Sequence, residues 1–262
     1  MLLFFLFICG LFIGSFLNVL IDRLPRGETV VKGKSRCESC KHKLAWYDLI
    51  PILSFVELRG KCRYCGALLS WYYPLVEVIT GGLFVLTFHY LQQSNLPFTI
   101  YHLPFIFQLA YFLFLISSLV VIFFTDLKYG IIPDKVVYPA VFVSLFYLFI
   151  IHNSLFIIHI LSAFGAFAFF FLLFAITRGR GMGFGDVKLA FLLGLFLGFP
   201  KIVIGLYIAF LTGAVVSLIL VVWGKKKLKG STIPFGPFLV FGTIVAHFLG
   251  NVFLRMVLPW LS

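Results

Sequence analysis

The sequence predicts an all-α protein that crosses a membrane about eight times and carries one small polar loop domain. Three observations support this fold class. Hydrophobic residues make up 62% of the chain, and the mean hydropathy of +1.10 lies far above that of a soluble domain. Apolar runs of membrane-spanning length recur along the chain. Most charged residues fall in the loop domain and in the connections between these runs.

Each apolar run is interpreted as one membrane helix. A span needs about 20 residues to cross the hydrocarbon core. The sixth run has only fourteen residues before Lys201, which at about 1.5 Å per residue cover about 21 Å. The first run lacks a basic segment before it and is interpreted as a retained anchor. The predicted helices are residues 1–21, 74–91, 103–125, 136–152, 155–177, 187–200, 202–223 and 236–258.

The basic residues predict the topology. The net charge is +12, and 19 of the 21 lysines and arginines fall in alternate connections, leaving Lys201 and Arg255 for the other side. By the positive-inside rule those connections face the cytoplasm. Because placement explains the charge, we expect membrane lipid and no nucleic acid as a partner. The basic connections are residues 22–72, 126–135, 178–188 and 224–230.

Two CxxC pairs lie in the loop domain, residues 22–73, which is predicted between the first helix and the helical bundle of residues 74–262. Thiolates at this spacing can converge on one tetrahedral Zn²⁺, and four sulfurs leave no open position for chemistry. The alternative is two separate CxxC motifs that are redox-active or unpaired. Stable disulfides are not expected, because the loop is predicted to face the cytoplasm. Zinc would supply folding energy to so small and polar a loop. The predicted ligands are Cys37, Cys40, Cys62 and Cys65.

Carboxylates are scarce outside the loop domain, and two of them lie at the predicted cytoplasmic ends of helices. Asp126 ends the third apolar run and Asp186 begins the sixth, directly after glycines. Two carboxylates that share a site cannot both ionise easily, which provides an acid and a base for hydrolysis. A helix N-cap is the alternative for Asp186. Capping is the first interpretation of Asp134, with a catalytic role as its alternative. For Glu77 the alternative to a functional role is placement favoured by the helix dipole.

The chain resembles the bifunctional prepilin leader peptidases with N-methyltransferase activity, which are membrane aspartic proteases of the GxGD type. Gly183 to Asp186 reads GFGD, the motif that names the type. Further similar segments follow the order of parts in the family, so the resemblance covers residues 10 to about 200. These segments are Gly14–Val19, Arg23–Pro25, Trp46–Pro51, Leu58–Cys62, Tyr73–Glu77 and Thr125–Asp134.

The resemblance implies a bacterial inner-membrane enzyme. Such enzymes remove the basic leader of prepilins or pseudopilins, typically after a glycine, and then methylate the new N-terminus with S-adenosylmethionine. It implies that Asp126 and Asp186 are the catalytic pair and that the four cysteines bind zinc. Glu77 and Asn18 are the candidates for the methyl-donor site. Pilus assembly, protein secretion and competence for DNA uptake are the processes that such enzymes serve.

Two other function classes compete with the peptidase. A transporter or channel with a carboxylate proton relay also carries acids in its membrane helices. However, no inverted repeat is apparent, and both candidate acids lie toward one face. A zinc-loop scaffold without chemistry would leave Asp126 unexplained.

Overall fold

The computed structural model describes residues 1–30, 35–93, 105–151, 154–223 and 233–257. These residues are almost wholly helical, and extended pairing among them is limited to two isolated bridges, Arg36–Lys43 and Lys61–Leu68. This confirms the predicted all-α class. The helices are α1 (Leu2–Arg23), α2 (Leu53–Glu57), α3 (Tyr72–Gln93), α4 (Phe105–Tyr129), α5 (Asp134–Ile151), α6 (Ser154–Thr177), α7 (Phe184–Leu197), α8 (Lys201–Val222) and α9 (Gly236–Val257), with a 3₁₀-helix at Trp46–Leu49.

The long helices α1 and α3 to α9 correspond to the eight predicted membrane helices. Six of them, α1, α3, α4, α6, α8 and α9, have the length and composition of a membrane span. Eight spans therefore remain a prediction. The predicted ends were wrong in two places that matter. Helix α4 continues past residue 125 to Tyr129, and α7 begins at Phe184 rather than at residue 187. The predicted lysine-rich connection at 224–230 lies outside the described residues.

The chain forms two compact units, Met1–Val121 and Ile122–Ser262, with the boundary inside α4. In the first unit α1 packs against α3. The two helices approach closely because glycines face each other. A Cβ on Gly10 would lie 2.6 Å from the Cα of Gly81. Small residues allow such approaches between apolar helices. The predicted loop domain belongs to this unit.

In the second unit α7 packs against α5, α6, α8 and α9. Ten of its 14 residues are buried, as expected for a helix that is apolar on all sides. Gly194 sets the contact with α6, because a Cβ there would lie 2.5 Å from the Cα of Ala163. Gly242 does the same between α9 and α8, where a Cβ would lie 2.2 Å from the carbonyl oxygen of Gly205. The short helix α7, which is the sixth predicted membrane helix, is thus surrounded by protein on several sides.

Candidate active site and metal site

Asp126 lies in the last turn of α4 and is only 5% exposed. The C-terminal end of a helix disfavours an anion, so its own helix does not stabilise this carboxylate. The stabilising contact comes from α9, where the N–H of Gly236 donates to Asp126 Oδ2 at 2.9 Å. The first residue of a helix has a free N–H and faces the positive end of the dipole. The buried acid is therefore held by a distant part of the chain.

Asp186 lies in the first turn of α7 and is 7% exposed. The apolar run predicted a helix that begins at residue 187, directly after Asp186, whereas Asp186 is the third residue of α7. Asp186 Oδ2 accepts a hydrogen bond from the N–H of Gly183 at 3.3 Å. Part of the capping alternative is thus correct, because Asp186 satisfies a backbone group at the start of its helix. Capping the start of α7 does not require so deep a burial of Asp186.

The two carboxylates belong to the same unit and act on each other electrostatically. In the described residues, neither carboxylate has a lysine or arginine within ion-pair distance. Buried carboxylates without a cation are costly to ionise together. The pair can therefore hold one proton between them, which is the requirement for combined acid and base chemistry.

Ile132 packs against the backbone beside both acids. A Cβ on Gly185 would lie 3.2 Å from Ile132 Cβ, and a Cβ on Gly236 would lie 3.3 Å from Ile132 Cδ1. The space beside Gly185 is therefore filled by the chain itself. The space beside Gly183 is open, because a Cβ there would meet nothing closer than 3.8 Å. Of the two motif glycines, Gly183 has the room for an approaching peptide.

Asp134 is the first residue of α5 and is half exposed. Its Oδ1 pairs with the Nζ of Lys188. The same ammonium lies 5.7 Å from the ring centroid of Tyr138 and 5.6 Å from that of Phe184. These contacts join the first turn of α5 to the first turn of α7. Asp134 therefore supports the position of the α7 start through Lys188.

The four cysteine sulfurs of the loop domain lie within 4.8 Å of one another. Cys37 Sγ and Cys65 Sγ are 3.9 Å apart. Four sulfurs at about 2.3 Å from a tetrahedral Zn²⁺ would be about 3.8 Å apart, so the cluster fits this ion. Cys37 and Cys62 are buried, and Cys40 and Cys65 are exposed. The predicted ligand set is therefore brought together by the fold.

Two matching turns build the cluster, which we call the first knuckle (residues 36–43) and the second knuckle (residues 61–68). In the first, Cys37 N–H donates to His42 and Lys41 N–H donates to Cys37. In the second, Cys62 N–H donates to Ala67 and Gly66 N–H donates to Cys62. The turn needs a left-handed residue, and Gly66 has φ +69°.

The knuckles differ in the residue at the left-handed position. Lys41 stands where the second knuckle has Gly66, and its φ is +59°. The pKa values of the thiols also differ. A backbone hydrogen bond from Cys40 outweighs burial and lowers the pKa of Cys37 to about 7. A backbone hydrogen bond from Ala67 lowers the pKa of Cys65, but burial and the neighbouring thiols outweigh it and raise the pKa to about 11.

Asp48 ties the second knuckle to the 3₁₀-helix and was missed by sequence analysis. Its carboxylate accepts hydrogen bonds from Ala45 N–H at 3.1 Å, Arg63 Nε at 2.9 Å and Tyr64 Oη at 3.1 Å. Burial opposes ionisation, yet these three donors lower the pKa of Asp48. A single acid in a polar loop gives no sequence signal of such a role. Only the fold shows which donors converge on it.

Glu77 and Asn18 both lie at the α1–α3 contact, Glu77 beside Gly14 and Asn18 beside Tyr73, and both are 7% exposed. Glu77 Oε2 accepts a hydrogen bond from Ile52 N–H at 2.9 Å. Ile52 has φ +60°, which is rare for a β-branched residue and marks local strain. Asn18 Nδ2 donates to the carbonyl of Tyr73 at 3.1 Å, and Asn18 Oδ1 is buried without a partner. Buried acceptors normally have a hydrogen-bond donor, so a ligand that donates to Asn18 Oδ1 would satisfy this atom.

Comparison with known proteins identifies the family of the chain. The bacterial peptidase A24 N-terminal domain matches residues 8–91, and the type IV leader peptidase family matches residues 113–218. The second match contains Asp126 and Asp186 and ends before α9. Two family models thus match both regions that carry the candidate residues.

Several relatives are named prepilin leader peptidase/N-methyltransferase. The one from Bacillus subtilis is 31% identical over 247 residues, covering 94% of each chain. The one from Myxococcus xanthus is 35% identical over 220 residues, and the chain spans only 62% of its length. The one from Pseudomonas aeruginosa is 27% identical over 278 residues, covering 96% of this chain and 91% of that protein. No solved structure matches. The chain belongs to the type IV leader peptidase family of membrane proteins.

Proposed function

We propose that this protein is a membrane aspartic endopeptidase that cleaves the leader peptide from prepilins or pseudopilins and N-methylates the new N-terminus. One observation carries the peptidase assignment. Asp126 and Asp186 are both buried, belong to different helices of one unit, and lie beside the same side chain, Ile132, which packs against Gly185 and against Gly236. The prepilin substrate comes from the names of the relatives.

In hydrolysis the ionised carboxylate accepts a proton from water, and the water oxygen attacks the scissile carbonyl carbon. The protonated carboxyl donates its proton to the carbonyl oxygen, giving a neutral gem-diol. The C–N bond then breaks. The amine nitrogen takes a proton from the carboxyl formed in the first step, and one gem-diol hydroxyl returns its proton to the other carboxylate. The pair ends with one proton, and the peptide has gained one water.

Substrate recognition is expected to depend on the apolar helix of the prepilin. The leader is basic in the resembled family, and the polar connections here are basic as well. Net charge would therefore repel the leader rather than attract it. We infer docking of the apolar helix among the membrane helices. A soluble leader peptide without that helix should be a very poor substrate, and its efficient cleavage would refute this docking.

The active site is proposed to face the cytoplasm from the bacterial inner membrane. The supporting observation is the charge pattern, in which 19 of 21 basic residues lie in alternate connections. Asp126 and Asp186 adjoin two of these connections. Labelling of single cysteines introduced at residues 130 and 180 with a membrane-impermeant maleimide tests the orientation. Labelling in intact cells would place the site outside.

Zinc is proposed as a structural ion held by Cys37, Cys40, Cys62 and Cys65. The sulfur spacing supports this assignment. The ion would cross-link the two knuckles, whose two extended bridges each lie within one knuckle. The residues themselves fix the ligand geometry, because each knuckle orients its two sulfurs by backbone hydrogen bonds.

The methyl-donor site is proposed at Glu77 and Asn18. S-adenosylmethionine supplies a methyl group that passes from its sulfonium to the unprotonated amine, which then loses a proton. The unpartnered Asn18 Oδ1 and the buried Glu77 carboxylate are acceptors suited to a donor-rich, cationic ligand. Asn18→Ala and Glu77→Gln should retain cleavage and lose the methyl mass increment on the pilin N-terminus. Full methylation in both variants would move the site elsewhere.

Co-expression with a prepilin tests the peptidase. Cleavage shortens the prepilin and is visible as a gel shift, and mass spectrometry locates the cut. We expect Asp126→Ala and Asp186→Ala each to abolish the shift. Glu57→Ala is the matched control, because this carboxylate is exposed and belongs to the other unit. Normal cleavage by Asp186→Asn would rule out the carboxylate pair.

A further inference from the structure

The backbone of Gly236 contacts Asp126 directly. Its N–H donates to Asp126 Oδ2 at 2.9 Å, in a buried position 110 residues along the chain from the acid. A Cβ at this residue would lie 2.5 Å from the same oxygen. Heavy atoms do not approach this closely without a shift of one of them. Glycine is therefore the residue that lets the start of α9 reach the carboxylate.

We propose that Gly236 is a positioning residue of the peptidase, whose N–H at the start of α9 fixes the orientation of the Asp126 carboxylate. The inference rests on the proposed peptidase function. It adds α9 to the catalytic unit, although the matched peptidase family region ends at residue 218. Neither the acid-bearing helix α4 nor the GxGD segment supplies this contact.

The Gly236 N–H would preorganise the Asp126 carboxylate. A carboxylate held by a fixed donor needs no rearrangement when it accepts a proton from water. The α9 start also places the positive end of a helix dipole beside the negative oxygen. A donor on a mobile side chain would give up rotamer freedom to do the same. A backbone N–H in the first turn of a long helix has already lost that freedom.

Ile132 offers a competing explanation for the glycine. A Cβ at residue 236 would also lie 3.3 Å from Ile132 Cδ1, so an alanine could fail by crowding this side chain alone. The two explanations separate in a double variant. Shortening Ile132 makes room on one side of the new methyl group and none on the side of Asp126.

The experiment compares purified full-length variants on a prepilin substrate across pH. For Gly236→Ala we expect kcat to fall by about 100-fold with KM within about 3-fold, because a small misplacement of a reacting group is costly. The acid limb of the pH–rate profile should move to higher pH, since the added methyl group displaces the carboxylate from the N–H that favours its ionised form. Gly236→Ala/Ile132→Ala should remain as slow as the single variant.

Two other glycines of α9 are matched controls. Gly250→Ala should behave as wild type, because its methyl group would meet only the flexible Lys201 side chain at 3.3 Å. Gly242→Ala should lower thermal stability without moving the pH profile. A Gly236→Ala enzyme with an unmoved pH profile, or one rescued by Ile132→Ala, would overturn the proposal. Cleavage by Asp126→Ala would instead overturn the peptidase function itself.

Discussion

The cysteine cluster and the carboxylate pair differ in the sequence separation of the residues that form them. Each knuckle closes by backbone hydrogen bonds within six residues, from Cys37 to His42 and from Cys62 to Ala67. The carboxylates stand 60 positions apart, and the donor to Asp126 is 110 positions from it. The metal site is therefore local structure, whereas the acid pair is a product of helix packing. Damage to one should spare the other.

Removal of all four cluster cysteines should have the largest effect, because it should abolish zinc binding and leave the carboxylate pair in place. A variant with serine at Cys37, Cys40, Cys62 and Cys65 should fall from about one zinc per chain to none. Peptidase activity should stay within about 10-fold of wild type, since both acids belong to the other unit. Elemental analysis and the gel-shift assay measure the two effects. Cys9→Ser, in α1, is the control and should keep its metal. Full zinc occupancy without the four cysteines would contradict the cluster.

Gly242→Ala should destabilise the helix packing that holds the carboxylate pair and leave the cysteine cluster intact. The added methyl group would lie 2.2 Å from the carbonyl oxygen of Gly205, and overpacking of this kind costs about 1–3 kcal/mol. Thermal inactivation of the peptidase should occur at a lower temperature while the zinc content is unchanged. Gly165→Ala in α6 is the control, because nothing lies within 4 Å of its added methyl group. Equal stability of the two variants would show that the α8–α9 contact does not support the peptidase.

Zinc affinity should rise with pH in a way that distinguishes the two knuckles. Thiols bind zinc as thiolates, so binding displaces any proton that a thiol carries. Cys65, with a pKa of about 11, releases a proton throughout the range from pH 6 to 9. Cys37, with a pKa of about 7, contributes a proton below that pH and none well above it.

The slope of log affinity against pH should therefore decrease by about one unit as the pH rises through 7. Chelator competition at intervals across this range measures the slope. The Cys37→Ser variant is the control, because its slope has no such decrease. A constant slope in wild type would mean that Cys37 keeps its proton until zinc binds.

The smallest expected effect concerns Lys41. A non-glycine residue in the left-handed region costs on the order of 1 kcal/mol, and glycine adopts this conformation without a Cβ clash. Lys41→Gly should tighten zinc binding by up to about 5-fold in chelator competition, with no change in prepilin cleavage. Lys43→Gly serves as the control and should not tighten it. Weaker binding by Lys41→Gly would show that the lysine side chain contributes more than its backbone strain removes.

The same local and distant division decides what the sequence could predict. Long apolar runs predicted the long helices, and the CxxC spacing predicted the sulfur cluster, because both signals lie in neighbouring residues. Asp126 and Asp186 could be paired through topology and the family resemblance. Gly236 could not, because a backbone N–H has no residue-type signature and α9 showed only hydropathy. The short helix α2 was also missed, since five residues give no periodicity.

Helix α7 has a consequence for how the enzyme tolerates its lipid. A helix of 14 residues is too short for an average bilayer and, if it faced acyl chains, would demand local thinning. Protein surrounds α7 instead, and the longer α6, α8 and α9 present the exposed apolar side chains. The lengths of α6, α8 and α9, rather than that of α7, therefore match the thickness of the bilayer. The depth of Asp186 is set by its neighbours in the fold, and cleavage should vary little between bilayers of different acyl-chain length.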